Sequence, residues 1–171
     1  MRKAVPEWML MTKLVDIDLD DIRLRSMTVA EYFESVTGKD KDVMMDKYHQ
    51  YRIKGDVLQQ LKDLAGSVVC VVFSAAWCKD CKNALPVLRH LEERAGLEVR
   101  VFGNIKTAPL DPEHRWKVPP SPPEMEEWNI THIPWIVLFD RDGNEIGNII
   151  EKPEVKETLE EEILYHLSKD R

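Results

Sequence analysis

The chain is poor in several things, and each shortage removes a class of function. Three cysteines in 171 residues are too few to frame the fold with disulfides. The apolar stretch Trp8–Met11 after Arg2 and Lys3 is too short for a secretory leader, and no small-residue cleavage site follows it. A reducing, cytoplasmic setting is therefore expected. No apolar run is long enough to span a bilayer, which argues against membrane partners. Positive charge is in deficit: Lys+Arg of 24 against Asp+Glu of 31 gives a net charge of -7, with no basic cluster dense enough to reverse it locally. Such a surface repels a phosphate backbone, and nucleic-acid binding is not expected. Internal repeats are also missing. What remains, 43% hydrophobic and 32% charged residues, suits one folded domain with an appendage.

Residues 1–54 are polar and irregularly patterned and read as an N-terminal helical extension packing on a main domain, residues 55–171. In the extension, Thr28 and Glu31 have capping-box spacing and lead into Tyr32, Phe33 and Val36, a helix that stops at Gly38. A second helix is expected from about Asp42, with Met44, Met45, Tyr48 and Tyr51 on one face. That stripe either packs on the main domain or faces a partner.

From Gly55 the rhythm changes. Val57, Leu58, Leu61 and Leu64 mark a short amphipathic helix ended by Ala65-Gly66, and Val68–Phe73 is a continuous apolar run, as in a strand buried on both faces. A helix follows, with Leu85, Leu88 and Leu91 inward and a stop at Ala95-Gly96; Leu97–Phe102 then reads as a second strand with Val99 and Val101 on one face. Between residues 106 and 129, six prolines from Pro109 to Pro123 enforce a loop until a short helix over 123–128. Trp135–Phe139, the turn Asp140–Gly143 and Glu145–Ile150 form a hairpin. Pro153 opens a last helix whose buried stripe is Val155, Leu159, Ile163, Leu164 and Leu167. The order helix, strand, helix, strand, helix, strand, strand, helix predicts an α/β fold, a mixed sheet of about four strands covered on both faces.

The chemistry lies in Trp77-Cys78-Lys79-Asp80-Cys81. A buried strand hands over to a helix here, which sets Cys78 near the helix N-terminus, where free N–H groups and the dipole favour a thiolate. Cys81 is almost one turn deeper, close enough to bond to Cys78 and more covered than it. Cys78 is thus the nucleophile that attacks a substrate disulfide, and Cys81 resolves the mixed disulfide. Lys79 and Asp80 modulate the Cys78 thiolate in opposite directions. Trp77 either packs in the core or offers an apolar surface to a peptide.

These residues, with Pro86 past the second cysteine, Ile133-Pro134 before the third strand and Asp142-Gly143 in the hairpin, resemble the thioredoxin family over about residues 55–168. The Asp before the second cysteine is also similar to the thioredoxin-related subgroup with Trp-Cys-Pro-Asp-Cys. The resemblance implies a thioredoxin-like sheet, a Pro86 kink in the active-site helix, and a cis Pro134 against the sulfurs with Ile133 offering backbone hydrogen bonds to a bound peptide. It implies no dissociable cofactor, disulfide-bearing client proteins, and an external thiol or reductase as electron donor. Three departures stand out. Val72 occupies the position of a buried Asp that helps deprotonate the resolving thiol, the Gly-Pro between the cysteines is missing, and the Pro-rich loop is longer, either to narrow the substrate range or as surface decoration.

Three other readings compete. A structural zinc site needs four ligands and the pair supplies two; Cys70 sits inside the strand and His90 lies well down the helix, so no metal is expected. His132, beside Ile133-Pro134, is either a proton carrier near the thiols or a solvated loop residue. The whole chain is either a thiol-disulfide oxidoreductase, mainly a reductase, or a thioredoxin-like binding module with little redox catalysis.

Overall fold

Six consecutive apolar residues leave Val68–Phe73 without a polar face, and in the computed structural model, which describes residues 17–113 and 115–169, this strand is buried throughout. Arg2, Lys3 and the Trp8–Met11 stretch lie outside the described residues. We label this strand β1. It is flanked by β2 (Glu98–Phe102), parallel to it, and β3 (Trp135–Asp140), antiparallel, and β4 (Glu145–Ile150) completes the order β2-β1-β3-β4 with an antiparallel pair to β3. The parallel β1–β2 pair requires a crossover, supplied by the helix Lys79–Ala95, which ends at Gly96 in the left-handed conformation (φ 71°).

The described helices are α1 (Leu19–Arg25), α2 (Val29–Ser35), α3 (Gly38–Gln50), α4 (Gly55–Leu64), α5 (Lys79–Ala95), α6 (Glu124–Glu127) and α7 (Leu159–Ser168). Both faces of the sheet are covered. On one, the stacked rings of Phe73 and Phe102 (centroids 5.3 Å apart) meet the edge of Trp128, which also packs on Phe139. α1 lies on the same face: register puts Glu98 and Arg100 there, and Arg23 grips Glu98 at 2.8 Å while Arg100 donates to the Arg23 and Ser26 carbonyls at 3.0 and 2.8 Å. Met27 then pairs across the outer edge of β2 (Met27 N to Val101 O 3.0 Å, Val101 N to Met27 O 2.7 Å), blunting that edge. Past the edge, α2 buries Val29, Tyr32 and Phe33 in the core.

Three details differ from the sequence expectation, and one open alternative is resolved. α1 carries only Leu19 and Ile22 as an apolar face, too little to stand out by pattern; its place is fixed by the arginine pairs above. The helix expected from Asp42 begins at Gly38, with Asp40 of its first turn held by Lys82 at 2.6 Å, and the preceding helix ends at Ser35. The Met and Tyr stripe packs inward, with Met44 1% exposed and Tyr48 stacked on His90 of α5 at 4.2 Å. Pro153 does not open the last helix. That helix starts at Leu159 after the cap Thr158, and Val155 is exposed rather than part of the buried stripe.

The cause is Glu162, 2% exposed, whose carboxylate accepts the backbone N–H groups of Glu154 (2.9 Å), Val155 and Lys156 (3.0 Å) and curls the preceding segment into a non-helical bend. Charge-assisted bonds of this kind are individually strong. Glu162→Ala should lower stability by about 2 kcal/mol in urea unfolding; an unchanged midpoint would contradict this role for the carboxylate.

Candidate active site

The β1 ladder runs past Phe73, since Ser74 N–H donates to Phe102 O at 2.9 Å and Ala75 bridges Asn104. The chain then turns, with Cys78 N–H returning to Ala75 O at 3.2 Å, and α5 begins. Cys78 is the N-cap of α5, in extended conformation (φ -86°, ψ 124°), and its Sγ accepts the Cys81 N–H at 3.2 Å. A sulfur here does what a serine or aspartate oxygen does at other helix starts. The same bond that caps the helix stabilises negative charge on that sulfur.

The Cys78 thiol is pulled down to about 7. The largest cause is a hydrogen bond from the Cys81 thiol; burial opposes it, the Cys81 backbone N–H adds to it, and the Asp80 carboxylate opposes it. Cys81 moves the other way, raised by burial and by its neighbour's charge. The pair is thereby split into one thiolate and one thiol near neutral pH. Cys81 is covered as expected, and Cys78 is more enclosed than expected. Cys81 is 1% exposed, and Cys78, expected to be open, is only 8% exposed, with its thiol 3.6 Å from the Ile133 carbonyl. Cys70 is fully buried in β1, and burial pushes its thiol well up, out of the reactive range.

Trp77, Cys78, His132 and Ile133 line one cleft of about 460 Å³. Trp77 is 55% exposed, held by its indole N–H to Ile105 O at 3.2 Å, so its ring is a surface rather than core. His132 is exposed and 3.0 Å from the Thr131 hydroxyl. Ile133-Pro134 is cis, and Pro134 and Asp80 line a second cleft of about 310 Å³ next to the first. Lys79 is exposed and lines neither cleft. Pro86 sits inside α5. His90 stacks on Tyr48 and its Nε2 meets the Tyr48 carbonyl at 2.7 Å. Among the described residues no three His, Cys, Asp or Glu side chains cluster at metal-binding distances, and no helix is long and apolar enough to cross a membrane.

Several residues of the site escape sequence reasoning. Pro112, Arg115 and Trp116 bring the Pro-rich loop to the cleft wall beside Cys78. The loop is tied down by α6, whose nearly buried Glu124 pairs with Arg25 of α1. Ser74 and Tyr32 lie behind Cys81, both buried. The one signal for Ser74 is a lone hydroxyl ending a run of apolar residues; Tyr32 is indistinguishable from an ordinary core residue.

A crossover helix between parallel strands, an antiparallel hairpin after a cis proline and a cysteine at the strand-to-helix turn define a thioredoxin-like α/β protein. Comparison with known proteins agrees. The thioredoxin family model matches residues 26–107. A curated thioredoxin from Chlamydia caviae is 28% identical over 87 residues, 51% of this chain and 72% of the relative. A Pseudomonas aeruginosa protein of unknown function superposes with a TM-score of 0.62 at 12% identity, covering 82% of this chain and 80% of its own. An HIV epitope-scaffold does so with a TM-score of 0.63 at 12% identity, covering 88% of each. At such identity the two structures share the fold alone. The family model covers just under half of the chain, and the family match and the fold together support a thioredoxin-like redox role.

Alkylation follows the thiolate. The rate for Cys78 should therefore rise with pH around a midpoint near 7, set by its lowered pKa, while Cys81 stays unreactive over the same range. A single midpoint near 9, the ordinary thiol value, would refute the assignment of the charge to Cys78.

Proposed function

We propose that this protein is a thiol-disulfide oxidoreductase acting mainly as a disulfide reductase. The observation that carries the reading is the Cys78 sulfur capping α5 with the Cys81 N–H at 3.2 Å, its mate one turn behind. Cys78 thiolate attacks one sulfur of a client disulfide, which breaks, and the other client sulfur leaves with the electron pair and takes a proton. Cys81 then attacks Cys78 Sγ, releasing the second client thiol and leaving a Cys78–Cys81 disulfide. An external dithiol or reductase returns the pair to the reduced form, in a reducing compartment such as the cytoplasm.

Trp77, Ile133 and Pro134 are the proposed contacts for the client backbone and side chains, and Arg115 and Trp116 of the Pro-rich loop extend that surface. The small opening at Cys78 favours a narrow set of clients over general reduction. Asp80, next to the nucleophile, works against its ionisation and trims its reactivity.

The test is reduction of a protein disulfide such as that of insulin by the dithiol form. The expected rate exceeds that of free dithiothreitol at equal concentration, Cys78→Ser abolishes it, and Cys81→Ser accumulates a mixed disulfide at Cys78. Failure to exceed the free dithiol with both cysteines intact would instead support a binding module.

A further inference from the structure

Behind the resolving cysteine the core holds two hydroxyls in a row. Ser74 is 0% exposed and Tyr32 2% exposed, and their oxygens are 3.2 Å apart. The Ser74 hydroxyl and the Ala75 backbone also lie close enough to the Cys81 sulfur to favour its thiolate. Burying a hydroxyl is costly unless it is used. The backbone does not need this one: Ser74 N–H is already spent on Phe102 O at 2.9 Å and its carbonyl faces the Ile105 N–H at 3.4 Å. The Ser74 hydroxyl is left for Tyr32 and Cys81.

Tyr32 is held in place with unusual thoroughness. The three N–H groups that open α2 are all satisfied, Val29 and Ala30 by the Glu92 carboxylate of α5 at 2.9 and 3.1 Å and Glu31 by Thr28 Oγ1 at 3.1 Å. The phenol ring then lies so close to Gly103 that a Cβ there would come within 2.4 Å of two ring carbons. The ring occupies the space a side chain would fill, which only glycine leaves open. Burial pushes the Tyr32 phenol up to about 12, so near neutral pH it is a donor. With Tyr32 donating to Ser74 Oγ, the serine proton is free to point at the Cys81 sulfur.

We infer that Ser74, oriented by Tyr32 as a positioning residue, donates a hydrogen bond to the Cys81 thiolate that forms when the mixed disulfide is resolved. The inference rests on the dithiol reading above. In that step the Cys81 thiol ionises and its sulfur attacks Cys78 Sγ; the bond between Cys78 and the client sulfur breaks. The electron pair leaves with the client sulfur, which takes up the proton Cys81 released. Client sulfur is reduced, the cysteine pair is oxidised, and no further reactant is needed. By strand alternation Ser74 sits on the same face as Val72, one pleat nearer the cysteines. The hydroxyl pair stabilises the thiolate from a place close to where a carboxylate at residue 72 would act.

The test uses the full chain in its reduced form and the aromatic disulfide dithiobis(nitrobenzoate), which releases one coloured thiol when Cys78 attacks and a second when Cys81 resolves. For Ser74→Ala the first phase should be unchanged, while the second slows about three- to tenfold at pH 7 and its pH midpoint moves up. Lost thiolate is partly offset by higher nucleophilicity, which keeps the factor modest. Tyr32→Phe, which removes one oxygen and keeps the ring, should shift the same phase by a smaller factor, and it decides the matter if Ser74→Ala does not fold. A second phase with wild-type rate and wild-type pH midpoint in the folded variants overturns the inference, as does slowing of both phases with no shift in midpoint. Release of no coloured thiol by the wild type would overturn the dithiol reading itself, a result distinct from either.

Discussion

The bond from the Cys81 N–H to Cys78 Sγ is the point on which the site turns. It starts the helix and places charge on one sulfur, and it keeps the second sulfur directly behind. For it to form, the chain must leave β1 at a fixed place and angle, and that is what the buried strand secures. Every residue from Val68 to Ala75 is buried, and the ladder is continued past Phe73 by Ser74 and Ala75. A slip of one residue would turn the valines of both faces over and carry the cysteines with them. Packing energy far from the sulfurs thus sets the electrostatics at the sulfurs.

The helices before residue 55 belong to this arrangement. α1 lies across one face of the sheet on the arginine pairs to Glu98 and Arg100, Met27 crosses the β2 edge, and α2 delivers Tyr32 to the back of the site. α3 adds Asp40 on Lys82 and Tyr48 on His90, both along α5. The family match itself begins at residue 26, at the Met27 crossing. α1 also reaches the loop over the cleft, through Arg25 on Glu124. The same N-terminal segment therefore touches the back of the cysteine pair and the support of the wall in front of it.

What sequence could tell depended on how local the cause was. β1, β2 and the β3–β4 hairpin are written in continuous or alternating apolar runs, and the capping box at Thr28 is written in two residues three apart. Cys78 at the helix mouth follows from the strand-to-helix change next to it. The failures have distant causes. The last helix starts late because Glu162 turns back on residues 154–156, a pattern with no periodic signature. α1 is placed by Arg23 on Glu98 of β2, 75 positions away, and by Arg100 of β2 on the Arg23 and Ser26 carbonyls. The enclosure of Cys78 comes from Ile133 and from a loop contributing Arg115 and Trp116, which no spacing rule connects to the cysteines. Ser74 and Tyr32 are 42 positions apart and meet only because Gly103 leaves room for the ring.

A hydroxyl pair and a carboxylate solve the problem of the resolving thiol differently. A carboxylate can take the proton, but it brings a buried charge next to a site that already holds the Cys78 thiolate, and the three groups then titrate as one coupled set. Ser74 and Tyr32 bring no net charge near neutral pH, since burial holds the phenol up at about 12. In the proposed reaction they cannot accept the proton, so it leaves with the client. Resolution then depends on the departing sulfur as much as on Cys81: a client thiol of low pKa leaves readily, one of high pKa slowly. Under the proposed reductase reading, a site that lacks its own base would hand part of its selectivity to the chemistry of the client, in keeping with the small opening at Cys78 and the loop drawn up beside it.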